Sequence, residues 1–301
     1  FFSNHFSILG NTGSGKSCTT ARILQNVFTS SNYVPVNAKI FIFDAYGEYI
    51  RAFSKLHEIS PMLNDKVYTT NVNDTAHELL KIPLWVLDTD DIAILLEATD
   101  ASQLSIIERA LKYVPIFKST SQDLVVFKND VIARAILDIL NSGNDSSKIR
   151  DQVTAILTTN CTEQLNLDSQ ISQPGYVRTL KQCLFVDTTG KMAEMELVVN
   201  FISQYIVDGL EIPDPKGDTY YTLRDLEQAM EFSLISEGIL KSDKVYDYAN
   251  VLKVRLHSLI NSDAAQYFDY PNMISRENYI DNFTRTADGK KAQIVDININ
   301  Y

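Results

Sequence analysis

The sequence predicts an α/β fold, a parallel sheet core bearing a large α-helical bundle insertion, and three observations lead there. A short apolar run, Phe6-Ser7-Ile8-Leu9, passes through a glycine-rich loop into a helical pattern from Thr19 to Phe28. Further short apolar runs alternate with helical stretches over roughly the first 90 residues, the pattern of buried parallel strands joined by crossovers. From about residue 88 to residue 285 helical periodicity takes over, as in a bundle inserted into or appended to a sheet domain.

The elements follow in order. Phe6 to Leu9 reads as a buried strand. The helix after it places Ile23, Leu24, Val27 and Phe28 on one face and ends in the polar loop Thr29 to Asn32. Lys39-Ile40-Phe41-Ile42-Phe43-Asp44 is a second strand closing in a carboxylate. Lys66 to Thr70 and Leu84 to Leu87 read as two more. Helices are expected over Asp90–Thr99, Ala101–Val114, Leu124–Asn141, Ser146–Thr159, Lys191–Asp208, Thr222–Leu240 and Tyr246–Asn261. Thr222-Leu223-Arg224-Asp225 has the form of a capping box. Breaks fall at Ser142 to Asp145, at Gln173-Pro174-Gly175 and over Ile212 to Gly217. Cys183 to Asp187 and Ala292 to Ile297 are strand-like islands. The expected division is residues 1–87 as the N-terminal part of the sheet core, 88–285 as the mainly helical insertion, and 286–301 as a returning strand.

Composition narrows the classes. The 301 residues carry 27 Lys and Arg against 38 Asp and Glu, a net charge of −11, and 45% are apolar. A dedicated duplex-binding domain is usually basic, because it neutralises phosphates. The acidic balance therefore argues against a nucleic-acid surface over the whole molecule and leaves room for a local basic loop. No stretch reaches the 18 or so apolar residues of a membrane helix, and no secretory leader is recognisable. Cys18, Cys161 and Cys183 form no close pair, which argues against a disulfide framework. The expected compartment is the cytoplasm, with no membrane partner.

The chemistry begins at Gly10-Asn11-Thr12-Gly13-Ser14-Gly15-Lys16-Ser17, which fits G-x-x-x-x-G-K-[ST] without a mismatch. Glycines let successive N–H groups point into one concavity, and the following helix adds its partial positive charge. Gly10 to Ser17, with Cys18 directly after, are the expected nucleotide-binding residues. Lys16 would reach the β- and γ-phosphates, and the Ser17 hydroxyl would sit on a magnesium ion. ATP and Mg2+ are the expected cofactors. Hydrolysis also needs carboxylates, and Asp44-Ala45-Tyr46-Gly47-Glu48-Tyr49 supplies two directly after a strand. Asp44 reads either as a magnesium acid or as a strand-end cap. Glu48 reads either as the residue that positions water or as a solvated helix-start residue. Asp88, Asp187 and Asp296 also follow apolar runs and read as strand-end turn residues.

These two stretches resemble the HerA branch of the FtsK–HerA ATPases. ILGNTGSGKS, Ile8 to Ser17, is similar to that family's G-x-T-G-S-G-K-[ST] loop, and Asp44 to Tyr49 is similar to its D-x-x-G-E-Y. Val251 to Leu256 and Gln293 to Asp296 resemble its later region more loosely. The resemblance implies a partial P-loop NTPase (RecA-like) core with a helical insertion. It further implies a homo-oligomeric, hexameric ring with ATP between subunits and DNA moved through the channel. An effector partner is implied as well, a nuclease or an NAD-hydrolase-type protein, in a setting such as antiviral defence. The family's N-terminal β-barrel and its later strand ending in paired acids do not occur in these 301 residues, so both are expected in other parts of a longer protein. An arginine acting on the neighbouring subunit's nucleotide would come from Arg255, Arg276 or Arg285, and Arg255 best suits the family layout.

Other readings stay in view. A GTPase switch would need N-K-x-D, and the nearest string is Phe127-Lys128-Asn129-Asp130. A transporter ATPase would need a serine-glycine-glycine signature, which does not occur. A ring that binds nucleotide only to scaffold an effector uses the same loop. His5, His57, His77 and His257 are isolated and form no metal pattern, and there is no G-x-S-x-G elbow.

Overall fold

A computed structural model of the chain describes residues 5–29, 34–118, 122–211, 219–236 and 243–299. In chain order the elements are α1 (Lys16–Thr29), β1 (Ile40–Asp44), α2 (Ile50–Phe53), α3 (Leu56–Ile59), β2 (Asp65–Thr69), β3 (Glu78–Leu79), α4 (Thr89–Leu95), α5 (Ala101–Lys118), α6 (Gln122–Leu140), α7 (Ser146–Asn160), β4 (Gln170–Gln173), β5 (Tyr176–Thr179), α8 (Leu180–Cys183), α9 (Met195–Ser203), α10 (Leu223–Ser236), α11 (Asp243–Ile260), α12 (Arg276–Phe283) and β6 (Ile294–Asn298). Two units form: Phe1–Val86 with Gln266–Tyr301, and Leu87–Ala265. The fold is α/β, and none of the described helices is long and apolar enough to cross a membrane.

The first unit is a parallel four-stranded sheet in the order β1-β6-β2-β3. The chain's last strand lies between its first two. Side chains alternate across a strand, so β6 sends Ile294 and Asp296 to one face and Val295 and Ile297 to the other. On the first face Ile294 and Ile42 meet Phe28 of α1, Phe53 of α2, Leu56 of α3 and Leu63. On the second face Val295 and Ile297 cluster with Tyr68, and the Tyr68 ring stacks on Phe283 of α12 at 4.5 Å between centroids. Buried Gln293 ties the amino ends of the strands: its amide donates to the Val36 carbonyl and accepts from the Asn64 N–H, each at 2.8 Å. Residues 266–285, which the sequence expectation assigns to the bundle, belong to this sheet unit. Tyr279 donates to the Lys81 carbonyl at 3.0 Å, and the Trp85 indole to that of Ile274 at 2.8 Å.

The second unit packs α5 and α10 as its central helix pair, with α4, α6 and α11 against them and α7 and α9 on α6. Phe232 of α10 receives Tyr113 and Phe117 of α5 edge-on, at 5.2 and 5.7 Å between centroids, an arrangement favoured by the ring quadrupoles. Thr222 and Asp225 form the expected cap at the start of α10: the Thr222 N–H donates to the Asp225 carboxylate at 2.7 Å. Asp130, the acid that a guanine reading would use, is buried in α6, as is Asn129 beside it. Asn129 bonds Gln164 and Thr162, and Asp130 pairs with Arg134 and accepts the Val207 N–H at 2.8 Å.

Several expectations fail for local reasons. Phe6 to Leu9 is not a strand, and Phe6 and Leu9 are exposed. A strand needs a ladder partner for its N–H and C=O groups, and no described strand lies alongside this segment. Leu84 to Val86 is a 3₁₀ turn begun by Pro83, whose carbonyl accepts the Val86 N–H at 3.1 Å. At Cys183 the reciprocal Thr179–Gln182 cap starts a helical turn instead of a strand, leaving only a single bridge from Val186 to Met192. The Gln173-Pro174-Gly175 break is the turn of the β4–β5 hairpin, with Gly175 at φ +93°. The helix expected over Lys191–Asp208 is confined to α9. The break over 212–217, loop residues 30–32 and the helix end at 237–240 lie outside the described residues.

Candidate functional site

The site is assembled at the carboxyl ends of β1, β6 and β2, where open parallel sheets place their ligands. The glycine-rich loop enters α1 directly. Its turn is closed by the Ser14 N–H on the Asn11 carbonyl at 3.1 Å, and the helix starts with the Thr19 N–H on the Gly15 carbonyl at 2.8 Å. Gly13 and Gly15 hold φ of +80° and +85°, a region costly for residues with a Cβ. At Gly10 an added Cβ would crowd the Ser14 side chain, which would have to turn aside. With glycine at the helix entry there is no side chain to cap the first turn, and its N–H groups have no carbonyl one turn back. The loop in front of that turn, Asn11 to Ser14, is exposed. The Lys16 ammonium arches back over the loop to the Asn11 carbonyl at 2.9 Å.

The β1 turn supplies the acids, and it separates their tasks. Asp44 is buried at the strand end, and both its oxygens accept backbone N–H groups, from Tyr46 at 3.2 Å and from Tyr49 at 2.8 Å. It shapes the turn, as the strand-end-cap reading describes. Glu48 is exposed and reaches across to α1, where its carboxylate accepts the Ser17 hydroxyl proton. Gly47, at φ +70°, lets the turn pass close to Asn298 at the end of β6, whose amide nitrogen lies 3.5 Å from where a Gly47 Cβ would stand. The Asp44 carbonyl accepts the Ile299 N–H at 2.9 Å, so the turn and the last strand are bound together.

The donor set fits a triphosphate with a divalent cation. The N–H groups at a helix entry and an ammonium suit anionic oxygens, and a hydroxyl facing a carboxylate offers the hard oxygen ligands that magnesium prefers. Among the described residues there is no cluster of three or more His, Cys, Asp or Glu that could hold a metal ion.

Of the other acids that follow apolar runs, Asp88 caps α4 in a reciprocal box with Asp91, and Asp187 closes a turn by accepting from Thr189 and Lys191. Asp296 is not at a strand end. It stands inside β6, in register between Ile42 and Val67, 1% exposed, with both oxygens lacking any hydrogen-bond partner. Burial, and then repulsion from Asp44 and Asp65, raises its pKa from 3.8 to about 7, and His77 partly offsets this. Its hydrophobic neighbours in sequence gave no signal of this strain, because only the sheet order brings the other acids near.

Arg255 lies in the second unit. Its guanidinium donates to the carbonyls of Leu96 and Glu97 at 3.0 and 2.6 Å, where α4 ends and Glu97 takes φ +50°. Arg285 pairs with Asp281 at 2.7 Å, whereas Arg276 is exposed and has no ion pair among the described residues. Cys18 is an exposed free thiol in the first turn of α1.

Among known families, the model described as Helicase HerA, central domain, matches residues 1–204. No curated protein matches the chain.

Proposed function

The chain belongs to the HerA helicase central-domain family, and on that premise we propose that it is an ATP-driven DNA translocase subunit of a hexameric ring coupled to an effector. A P-loop ATPase domain is the part that family membership carries. DNA movement, the ring, and an effector such as a nuclease in antiphage defence are the extension. The observation that supports the reading best is the meeting of Ser17 and Glu48, 31 positions apart, at the entrance of α1.

In this reading the loop N–H groups from Gly10 to Ser17 and the first turn through Cys18 cradle the phosphates, and Lys16 leaves the Asn11 carbonyl for their oxygens. Ser17 and Glu48 would hold Mg2+, which when bound draws charge off the terminal phosphate. Asp44 acts through Glu48 by fixing the turn that carries it. Arg276 suits a role on a neighbouring subunit's nucleotide better than Arg255, whose donors are already engaged.

Lys16→Ala in the full-length protein is expected to abolish ATP turnover while leaving the circular dichroism spectrum unchanged. Wild-type hydrolysis by that variant would remove the basis of the assignment. The acidic charge of the chain favours one rival, a ring that binds nucleotide only to scaffold an effector. DNA-stimulated turnover with strand displacement is expected of the motor and not of the scaffold.

A further inference from the structure

The second unit carries a basic cleft that the nucleotide site does not use. A cavity of about 500 Å³ is walled by Arg150 of α7, Arg178 of β5 and Lys181 of α8, with Thr154, Gln182 and Phe185 between them. Asp151 is the only carboxylate in its lining, so the wall is net positive in a chain of net charge −11. The elements that carry the cleft are anchored in the core: Ile149 and Val153 of α7 and Leu180 and Cys183 of α8 are all buried, and buried Leu184 also lines the cleft. The Thr179–Gln182 box fixes the passage from β5 into α8.

The cations can reach a ligand. Arg150 pairs with its neighbour Asp151 at 2.8 Å, a surface pair and therefore weak. Arg178 pairs with Glu194, a mostly buried carboxylate, at 2.6 Å, yet its guanidinium stays nearly half exposed and carries further donors that a phosphate can share. Lys181 has no ion pair among the described residues. Guanidinium groups bind phosphate oxygens in bidentate fashion. Beside these charges stand two exposed rings. Phe185 in the cleft is 69% exposed, and Tyr176 on β5 is 45% exposed with the Arg178 guanidinium 5.2 Å from its centroid. Cations that follow a backbone, together with open aromatic faces on which bases stack, are what unpaired nucleic acid requires. An acidic peptide would use the charges and leave the rings idle.

We propose that this cleft binds single-stranded nucleic acid, with Arg150, Arg178 and Lys181 on the phosphates and Phe185 stacking a base. The proposal rests on the DNA-handling reading given above and names a surface for it outside the sheet unit.

The test is fluorescence anisotropy of a labelled oligothymidylate with the full-length protein, comparing wild type, R150A/R178A/K181A and F185A. Each single-strand phosphate contact contributes about 0.7 to the slope of log affinity against log salt, so losing three lowers affinity roughly a hundredfold near 0.1 M salt and flattens the slope by about 2. F185A is expected to weaken binding several-fold with the slope unchanged. Basal ATP turnover without DNA should match wild type in both variants, which excludes misfolding; K181E alone serves if the triple variant fails that control. Triple-variant binding within twofold of wild type, with the same slope, overturns the site while leaving the DNA-handling reading in place. A wild-type protein that binds no oligothymidylate overturns the site, while the DNA-handling reading falls only if duplex DNA also leaves its ATP turnover unchanged. Displacement of the oligonucleotide by polyglutamate at equal charge concentration overturns nucleic acid as the occupant.

Discussion

Asp296→Asn isolates the cost of holding a carboxylate in the middle of the sheet. Asp296 is 1% exposed, both its oxygens lack partners, and Asp44 and Asp65 repel its charge. Its pKa stands at about 7 in the fold, against 3.8 for an unperturbed aspartate. Below the lower value the group is neutral in both states and its folding contribution is at its best. Between the two values the fold keeps a proton that the unfolded chain has released, so stability falls as pH rises. Above about 7 the group is charged in both states and the full cost is present, roughly 4 kcal/mol for a shift of this size. Asparagine does not titrate, so the stability of the variant minus that of wild type should widen between pH 4 and 7 by up to about 4 kcal/mol and then level off. Denaturant unfolding followed by the fluorescence of Trp85, the chain's one tryptophan and part of the same unit, provides the assay. A difference that stays constant within about 0.5 kcal/mol over that range, or narrows with rising pH, would refute the placement of Asp296 as an unpartnered acid.

Two further substitutions probe its neighbours. Asp44→Asn removes one acceptor for the Tyr46 and Tyr49 N–H groups and should cost about 1–3 kcal/mol in denaturant unfolding; by relieving repulsion it should also move the Asp296 window to lower pH, which the same titration reads. Arg255→Ala strips two donors from the end of α4 and should lower stability by about 1–3 kcal/mol while leaving nucleotide affinity, measured by calorimetry, at the wild-type value.

What was legible from sequence was local. The glycine-rich loop, α1, β1, β6 and the Thr222–Asp225 cap each depend on residues within a few positions, and each shows in its own local pattern. Phe6 to Leu9 has the composition of a strand, but composition cannot supply the neighbouring strand that a ladder needs. β3 is only two residues long and exists because Tyr68 and Thr69 offer an edge to pair with. The β4–β5 hairpin was visible only as its turn, Gln173 to Gly175, since Gln170 to Gln173 lacks the β-branched richness of a strand. In the site, two carboxylates four residues apart looked alike until the turn geometry divided them, Asp44 inward to backbone and Glu48 outward to Ser17. Asp296 resembles a strand-end acid because the apolar run before it is followed by only one more apolar residue, Ile297, whereas β6 continues through Asn298.

If Ser17 and Glu48 together form the magnesium end of the nucleotide site, the Mg2+ dependence of ATP turnover in full-length wild type and Glu48→Gln reads it out. The variant should bind nucleotide without metal as wild type does, and its Mg2+-dependent turnover should fall about a hundredfold or more. Turnover and Mg2+ response equal to wild type would contradict it.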